Sequence, residues 1–252
     1  MALHPTVQPD TSLSQRTAVS LTAAVHLADR DAFTGLFDAG TPPQRIETLW
    51  RNMGQLTGLE AIGETADSWR IDWRLAGQAA ASTHQVRSVW QCSWQRCRLA
   101  DVVQQPGSPT PVWLTGQITV ASAGQVTVLG AADASQWLAA ATGALDAISG
   151  GATAGLLGEH DPYVIELPAD RAGFEQVLAA PASQFATIGA ITWQQGANSH
   201  IVVNPQTAGG LDDEQRRLLL AHELVHLRTV HLGHPASGQL WVSEGLAEAL
   251  AL

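Results

Sequence analysis

The spacing of hydrophobic residues divides the chain into a helical start, a run of alternating strands and a mixed second half. Over residues 13–37 the apolar positions recur with the period of a helix, apart from a polar interruption at residues 29–31. Pro42 and Pro43 introduce a second helix that reaches about Leu56, since proline is tolerated in the first turn of a helix. The first part of the chain is therefore predicted to begin with two helices.

The hydrophobic period changes to two after Gly58. Residues 68–77 alternate apolar with charged side chains, which predicts a half-buried strand, and residues 84–94 and 96–103 continue the pattern. Two helices followed by an antiparallel meander resemble the nuclear transport factor 2-like cone fold, in which a curled sheet wraps around a helix. The resemblance is one of architecture. It covers residues 1–105 and implies an accessory or small-ligand-binding domain.

A stretch rich in proline, glycine and serine, residues 104–111, marks a boundary between two domains. Beyond it, two short strands are predicted at 112–121 and 125–131, followed by a long alanine-rich helix over 134–157. The remaining predicted elements are a buried strand at 162–168, a helix capped by Asp170, and strands at 186–193 and 199–205. The second half, residues 110–252, is therefore predicted to form a separate α+β domain.

The composition is that of a globular protein, with 45% hydrophobic and 14% charged residues. A net charge of -10 and an isoelectric point near 5.2 argue against nucleic acid or an anionic membrane as the main partner. No segment is apolar enough for a transmembrane helix, and no signal peptide is visible at the N-terminus. We therefore expect a cytoplasmic protein, or an exported one if a leader has been removed.

The two cysteines, Cys92 and Cys97, flank a segment that can form a hairpin turn. If residues 93–96 form that turn, the two side chains can face each other across the strands, and a disulfide is possible. Pairing cannot be deduced from sequence, and a C-x4-C pair with no further cysteine is a poor zinc site. We therefore favour two unpaired, half-buried strand residues.

The candidate chemistry lies near the C-terminus, where residues 222–226 read His-Glu-Leu-Val-His. Asp212 or Asp213 is predicted to cap a helix that runs to about His231. Residues four apart on a helix share a face, so His222 and His226 project side by side and can hold one Zn²⁺. Glu223 leaves the helix roughly 100° away, which suits a general base acting on a water molecule beside the metal. The core-facing side of the helix is predicted to comprise Leu218, Ala221, Leu224, Val225 and Leu232.

A catalytic zinc site needs a third protein ligand and an open fourth position. Glu244, eighteen positions after His226, lies near the start of a second predicted helix, and a short loop containing Pro235 and Gly238 lets that helix fold back. Glu248 lies one turn further on the same face. There it can accept a hydrogen bond from the far ring nitrogen of a ligating histidine.

These segments, HELVH and then WVSEGLAE, resemble the gluzincin metallopeptidases, in particular the aminopeptidase-N-like branch and its bacterial peptidase MA-like relatives. The resemblance covers residues 110–252 and is specific in the last thirty or so. It implies that His222, His226 and Glu244 bind one zinc ion, that Glu223 is the general base, and that Glu248 is the acid that orients a ligand. It also implies a zincin-type fold and peptide or protein substrates.

The resemblance further implies a tyrosine or histidine beyond the glutamate helix that stabilises the oxyanion. The sequence ends at Leu252 and its one tyrosine, Tyr163, lies far upstream, so the domain is expected to be truncated at its C-terminus. The metzincin pattern does not fit, because Thr229 and Leu232 stand where it requires glycine and histidine. His231 misses that ligand position by one residue, and His234 is interpreted as loop surface.

Three functions remain open from the sequence. The first is zinc-dependent hydrolysis of peptide bonds. The second is a zinc-stabilised binding module without catalysis, and the third is a small-ligand-binding cone-fold protein whose C-terminal helices are only structural. The strand near residues 189–193 is a further candidate for binding a peptide by strand addition, although the exopeptidase or endopeptidase mode and the oligomeric state are not indicated.

Overall fold

The structure is a computed structural model that describes residues 8–94, 96–131, 133–150, 162–195, 198–229 and 240–251. The chain divides into two compact units, Met1–Gln117 and Ile118–Leu252. Each unit contains helices and one β-sheet, so the predicted α+β class is confirmed. Within the described ranges, no helix combines the length and the apolar character needed to cross a membrane.

The first unit combines four helices with a four-stranded antiparallel sheet in the order β1-β2-β3-β4. Its described elements are α1 (Thr11–His26), α2 (Arg30–Thr34), α3 (Pro43–Met53), β1 (Gly58–Gly63), β2 (Ser68–Arg74), β3 (Ser82–Cys92), β4 (Cys97–Gln104) and α4 (Val112–Thr115). The meander that the alternating pattern predicts is therefore present. In β2 the apolar residues face the core, as their alternation predicts, since Trp69, Ile71 and Trp73 are fully buried.

The helix predicted over residues 13–37 is interrupted where its sequence becomes polar. Ala28 adopts a positive φ of 52°, and the side chain of Asp29 then caps α2 by accepting a hydrogen bond from the Ala32 N–H. Helix α1 packs closely on the sheet. A Cβ at Gly63 would lie 2.7 Å from the backbone nitrogen of Gln15, so this approach requires glycine.

The segment after the proline-rich stretch belongs to the first unit. Residues Val112–Thr115, predicted as part of a strand, form the short helix α4, so that prediction was wrong. The buried amide of Asn52 donates hydrogen bonds to the carbonyls of Trp113 and Gly116, at 2.6 Å each, and Trp113 is fully buried. These contacts place the division after Gln117, several residues later than the predicted boundary at residues 104–111.

The cysteines form a disulfide, which corrects the expectation that they are unpaired. Cys92 and Cys97 face each other at the end of the hairpin between β3 and β4 and are joined as Cys92–Cys97. The backbone N–H of Ser93 donates to the carbonyl of Arg96, which closes the turn. The hairpin register therefore brings the two side chains together, as the turn geometry allows.

The second unit contains a five-stranded mixed sheet in the order β5-β6-β7-β9-β8. Its described elements are β5 (Thr119–Ala123), β6 (Val126–Gly130), α5 (Ala134–Gly150), β7 (Tyr163–Leu167), α6 (Arg171–Val177), β8 (Ala190–Gln195), β9 (Asn198–Val203), α7 (Pro205–Ala208), α8 (Asp213–Thr229) and α9 (Leu240–Ala251). The three inner strands are parallel, whereas the outer strands β5 and β8 pair antiparallel. Among the described strands, β8 is therefore one edge of the sheet. The predicted extension of α5 to residue 157 lies outside the described residues.

Helices α5, α8 and α9 pack on one face of this sheet. The core between them contains alternate residues of the strands, among them Val128, Ile165 and Ile201, together with Ala141 and Ala144 of α5. Helix α8 contributes Leu220, Ala221, Leu224, Val225 and Leu227 to the same core. Thus α8 is anchored along its length, which fixes the direction of the polar side chains on its other faces.

Candidate metal centre

Helix α8 begins with a capping arrangement that its sequence encodes. The Asp212 carboxylate accepts a hydrogen bond from the Gln215 N–H at 2.9 Å, and the Gln215 side chain accepts one from the Asp212 N–H at 3.0 Å. The prediction that Asp212 or Asp213 caps this helix is therefore confirmed for Asp212. The predicted core residues Ala221, Leu224 and Val225 are buried, whereas Leu218 is only half-buried and Leu232 lies outside the described residues.

His222 and His226 lie side by side on α8, as their spacing predicts. Their Nε2 atoms are 3.1 Å apart, and both rings are half-buried. A neutral imidazole that carries its proton on Nδ1 has a lone pair on Nε2, so in that tautomer the two rings can direct both lone pairs at one point. That arrangement suits two nitrogen ligands of one metal ion.

Helix α9 brings Glu244 to the same point. It begins at Leu240, and Glu244 lies in its second turn. Its carboxylate oxygens lie 3.2 Å from Nε2 of His222 and 3.6 Å from Nε2 of His226. One potential ligand atom from each of the three residues lies within 4.8 Å of the others. The structure therefore brings all three predicted ligands together.

These distances can be compared with the geometry that zinc requires. With ligands about 2.0–2.1 Å from the metal, neighbouring ligand atoms of a tetrahedron are about 3.3 Å apart. The two imidazole nitrogens are 3.1 Å apart, and each lies 3.2 or 3.6 Å from one of the two Glu244 oxygens, so the spacing of the side chains is close to that value. Two imidazoles and one carboxylate are also a ligand set found in catalytic zinc sites, which leave a fourth position open. The residues present therefore fit a zinc ion.

Glu223 leaves the helix on a different side from the two histidines. It is only 6% exposed, and its Oε2 accepts a hydrogen bond of 2.8 Å from the hydroxyl of Thr192 on β8. Burial raises the pKa of Glu223, while the Thr192 hydrogen bond and the nearby imidazoles of His226 and His222 partly lower it again. A carboxylate with a raised pKa is a stronger proton acceptor than an exposed one.

Other predicted participants are less clearly placed. Glu248 lies on α9 but is exposed, and within the described residues no hydrogen bond joins it to His222 or His226. Its predicted role in orienting a ligand therefore stays a prediction. His231 and His234 lie outside the described residues, as does the loop with Pro235 and Gly238. Tyr163 is 2% exposed and packs in the core between the sheet and its helices.

Sequence reasoning missed a polar cluster inside the second unit. Glu166 and His200 are both fully buried, with 2.6 Å between Oε1 of Glu166 and Nδ1 of His200, and Gln195 donates to the same Oε1 at 2.7 Å. It also missed Thr192. The clearest signal was Glu166, a carboxylate in a strand whose other residues are Tyr163, Val164, Ile165 and Leu167, but the sequence does not show which residue meets it.

In comparisons with known proteins, no family model, no curated protein and no solved structure matches this chain. A function is therefore argued from the arrangement of the chain's own residues.

Proposed function

We propose that this chain is a zinc-dependent hydrolase that cleaves peptide bonds with Glu223 as the general base. The proposal rests on one observation. His222, His226 and Glu244 converge at one point, and the buried carboxylate of Glu223 lies on the same turn of α8 as His222 and His226. The three ligands account for a metal site by themselves. The buried Glu223 is an additional group that a purely structural zinc site does not need.

In the proposed mechanism, three residues bind the metal ion and a fourth transfers the proton. His222 and His226 would hold the ion from α8, and Glu244 would hold it from α9. A zinc ion bound there supplies a Lewis acid that polarises the scissile carbonyl and makes an adjacent water more acidic. Glu223 accepts the proton of the attacking water and delivers it to the departing amine. Its burial favours the first of these steps, because a raised pKa makes the carboxylate a better proton acceptor.

The edge of the sheet offers a place for an extended peptide. Among the described strands, β8 pairs only with β9, so its other side is a candidate edge at which backbone N–H and C=O groups can bind a peptide. A peptide can add to such an edge as a further strand. Because β8 also contacts Glu223 through Thr192, a peptide bound along it would run beside the metal centre. We therefore extend the proposal to extended peptide segments as substrates.

The first test measures metal and activity on the same preparations of the full chain. Wild type is expected to hold one zinc per chain after dialysis and to cleave members of a peptide library, detected by mass spectrometry. His222→Ala should lose both zinc and cleavage. Glu223→Gln should keep zinc and lose cleavage by about 10²–10⁴-fold, the usual contribution of a general base. Glu214→Gln, the same change at an exposed site on α8, is the matched control and should alter neither.

The outcomes separate the three functions. Equal cleavage by wild type and Glu223→Gln contradicts the peptidase proposal. A second candidate, a zinc-stabilised module without catalysis, is favoured by one observation: the one tyrosine of the sequence, Tyr163, is buried in the core between the sheet and its helices instead of being exposed as an oxyanion donor. Zinc binding without cleavage would support it.

Absence of zinc would instead favour the third function, a small-ligand-binding protein. The first unit offers a cleft of about 300 Å³ for such a ligand, lined by Phe37, Ile46 and Trp50.

A further inference from the structure

Thr192 connects the edge strand of the sheet to the carboxylate of Glu223. Its hydroxyl is 2.8 Å from Oε2 of Glu223 and 3.3 Å from the backbone carbonyl oxygen of the same residue. The two residues are 31 positions apart in the chain. A hydroxyl has one proton, so the shorter contact, to a charged acceptor, is the stronger of the two.

The strand geometry directs this hydroxyl at α8. Thr192 pairs with Ile201 of β9, which belongs to the core beneath the helices, so both side chains lie on the helical face of the sheet. The neighbouring strand residues, Ile191 and Trp193, lie on the opposite face. A residue at position 192 therefore meets the helix at the turn that carries Glu223, and only a side chain with a donor can hold its carboxylate.

Glu223 needs such a partner. It is 6% exposed, so water cannot replace the lost hydration of its carboxylate in full. Its side chain has three rotatable bonds, and a base must keep within hydrogen-bond reach of the proton that it accepts. The Thr192 hydroxyl binds Oε2 and leaves Oε1 for proton transfer.

We propose that Thr192 is a positioning residue that fixes the Glu223 carboxylate beside the metal ligands. This inference rests on the proposed function, since it assigns Glu223 the role of base. Thr192 itself makes no contact with a ligand atom among the described residues, so its loss should leave metal binding intact. Loss of the Thr192 hydroxyl should therefore lower the rate of the chemical step and leave substrate affinity unchanged.

The variants that test this remove or restore the hydroxyl. Thr192→Val keeps the shape of the side chain and removes the donor, and Thr192→Ala removes it without adding a methyl group. Thr192→Ser restores the donor. The matched control is Thr127→Val, the same change at a buried threonine of β6 whose hydroxyl meets Ser122 at 2.9 Å.

Each variant is measured as the full chain for zinc content, for kcat and KM on a cleaved peptide, and for the position of the Glu223 side chain in crystals of the zinc-loaded protein. We expect Thr192→Val and Thr192→Ala to keep one zinc, to keep KM, and to lose about 10–100-fold in kcat, the usual effect of removing a group that orients a reacting residue. Thr192→Ser should recover most of that loss, and Thr127→Val should match wild type.

The result that overturns the inference is a kcat within twofold of wild type in both Thr192→Val and Thr192→Ala, with the Glu223 carboxylate unmoved. Failure of the proposed function gives a different result. If wild type binds zinc but cleaves nothing, the crystals decide: a Glu223 carboxylate displaced in the valine and alanine variants and restored in the serine variant supports positioning by Thr192. A carboxylate that is unmoved in all of them overturns it.

Discussion

Glu244 is the one predicted zinc ligand that comes from α9, and its removal should loosen that helix more than any other described element. His222 and His226 both belong to α8, so a metal ion bound by all three residues ties the two helices together. The perturbation is Glu244→Ala. Alanine is the best helix former, so the change removes the ligand without weakening the helix itself.

The expected magnitude follows from how α9 is otherwise held. Among the side chains of α9 that the structure describes, Ala247 and Ala251 are buried, and Leu246 and Leu250 are partly buried against the core. Two buried methyl groups contribute roughly 1.6 kcal/mol, at about 0.8 kcal/mol each. A ligand that binds only the closed arrangement adds about 2.7 kcal/mol at one hundred times its dissociation constant. The zinc contribution is therefore at least as large as that of the two alanines.

Hydrogen exchange followed by mass spectrometry measures this effect helix by helix. At zinc concentrations one hundred times the dissociation constant, amides of α9 should exchange up to about 100-fold more slowly than in the metal-free chain. Amides in the middle of α8 should change less, because the buried Leu220, Leu224 and Leu227 hold that helix without metal. In Glu244→Ala the zinc effect on α9 should largely disappear.

The control is Glu248→Ala, the same change one turn further along α9 at an exposed carboxylate. It should retain the zinc effect on exchange, apart from a moderate loss of affinity if Glu248 orients a ligating histidine as the sequence predicts. Equal protection of α9 by zinc in wild type and Glu244→Ala would refute the reasoning, because the ion would then be held without a ligand from that helix.

Two other features give predictions about stability. His200→Leu should lower the free energy of unfolding by about 3–5 kcal/mol, since it leaves the carboxylate of Glu166 buried without its imidazole partner, and adding Glu166→Gln should recover part of the loss. Urea denaturation followed by circular dichroism checks both, and a double variant no more stable than His200→Leu contradicts the assigned cause. Replacing Cys92 and Cys97 by serine should cost about 2 kcal/mol, because the loop that the disulfide closes is short. The same loss should follow reduction of the wild type, and an unchanged urea midpoint after reduction would contradict it.

Much of the local structure could be predicted from the sequence because it is encoded within a few residues. Asp170 caps α6 by accepting from the Gly173 N–H, as its position before an amphipathic stretch predicts. The alternation in β2 and the spacing of His222 and His226 on α8 are local patterns of the same kind. Such patterns depend only on the repeat of a single helix or strand, so they can be predicted without knowledge of the tertiary structure.

Features that depend on distant partners were missed. The segment with Trp113 has the composition of a strand, yet it forms a short helix because Asn52, about sixty positions earlier, binds its carbonyl groups. The cluster of Glu166 and His200 joins residues 34 positions apart. A polar residue in an apolar strand signals that a partner exists, but only the register of the strands shows which residue it is.

On α8 the side chains of His222 and Glu223 point in different directions, and this determines how single substitutions affect the centre. The histidines point towards α9, whereas Glu223 points towards β8, so the two halves of the centre depend on different parts of the unit. Under the proposed function, a substitution on the β8 side should lower turnover and leave the ion in place. Conversely, a substitution on the α9 side could release the ion while the base keeps its hydrogen bond. Under the proposed function, a single substitution at the base would therefore convert an enzyme into a metal-bound scaffold, and an engineer can make that change deliberately.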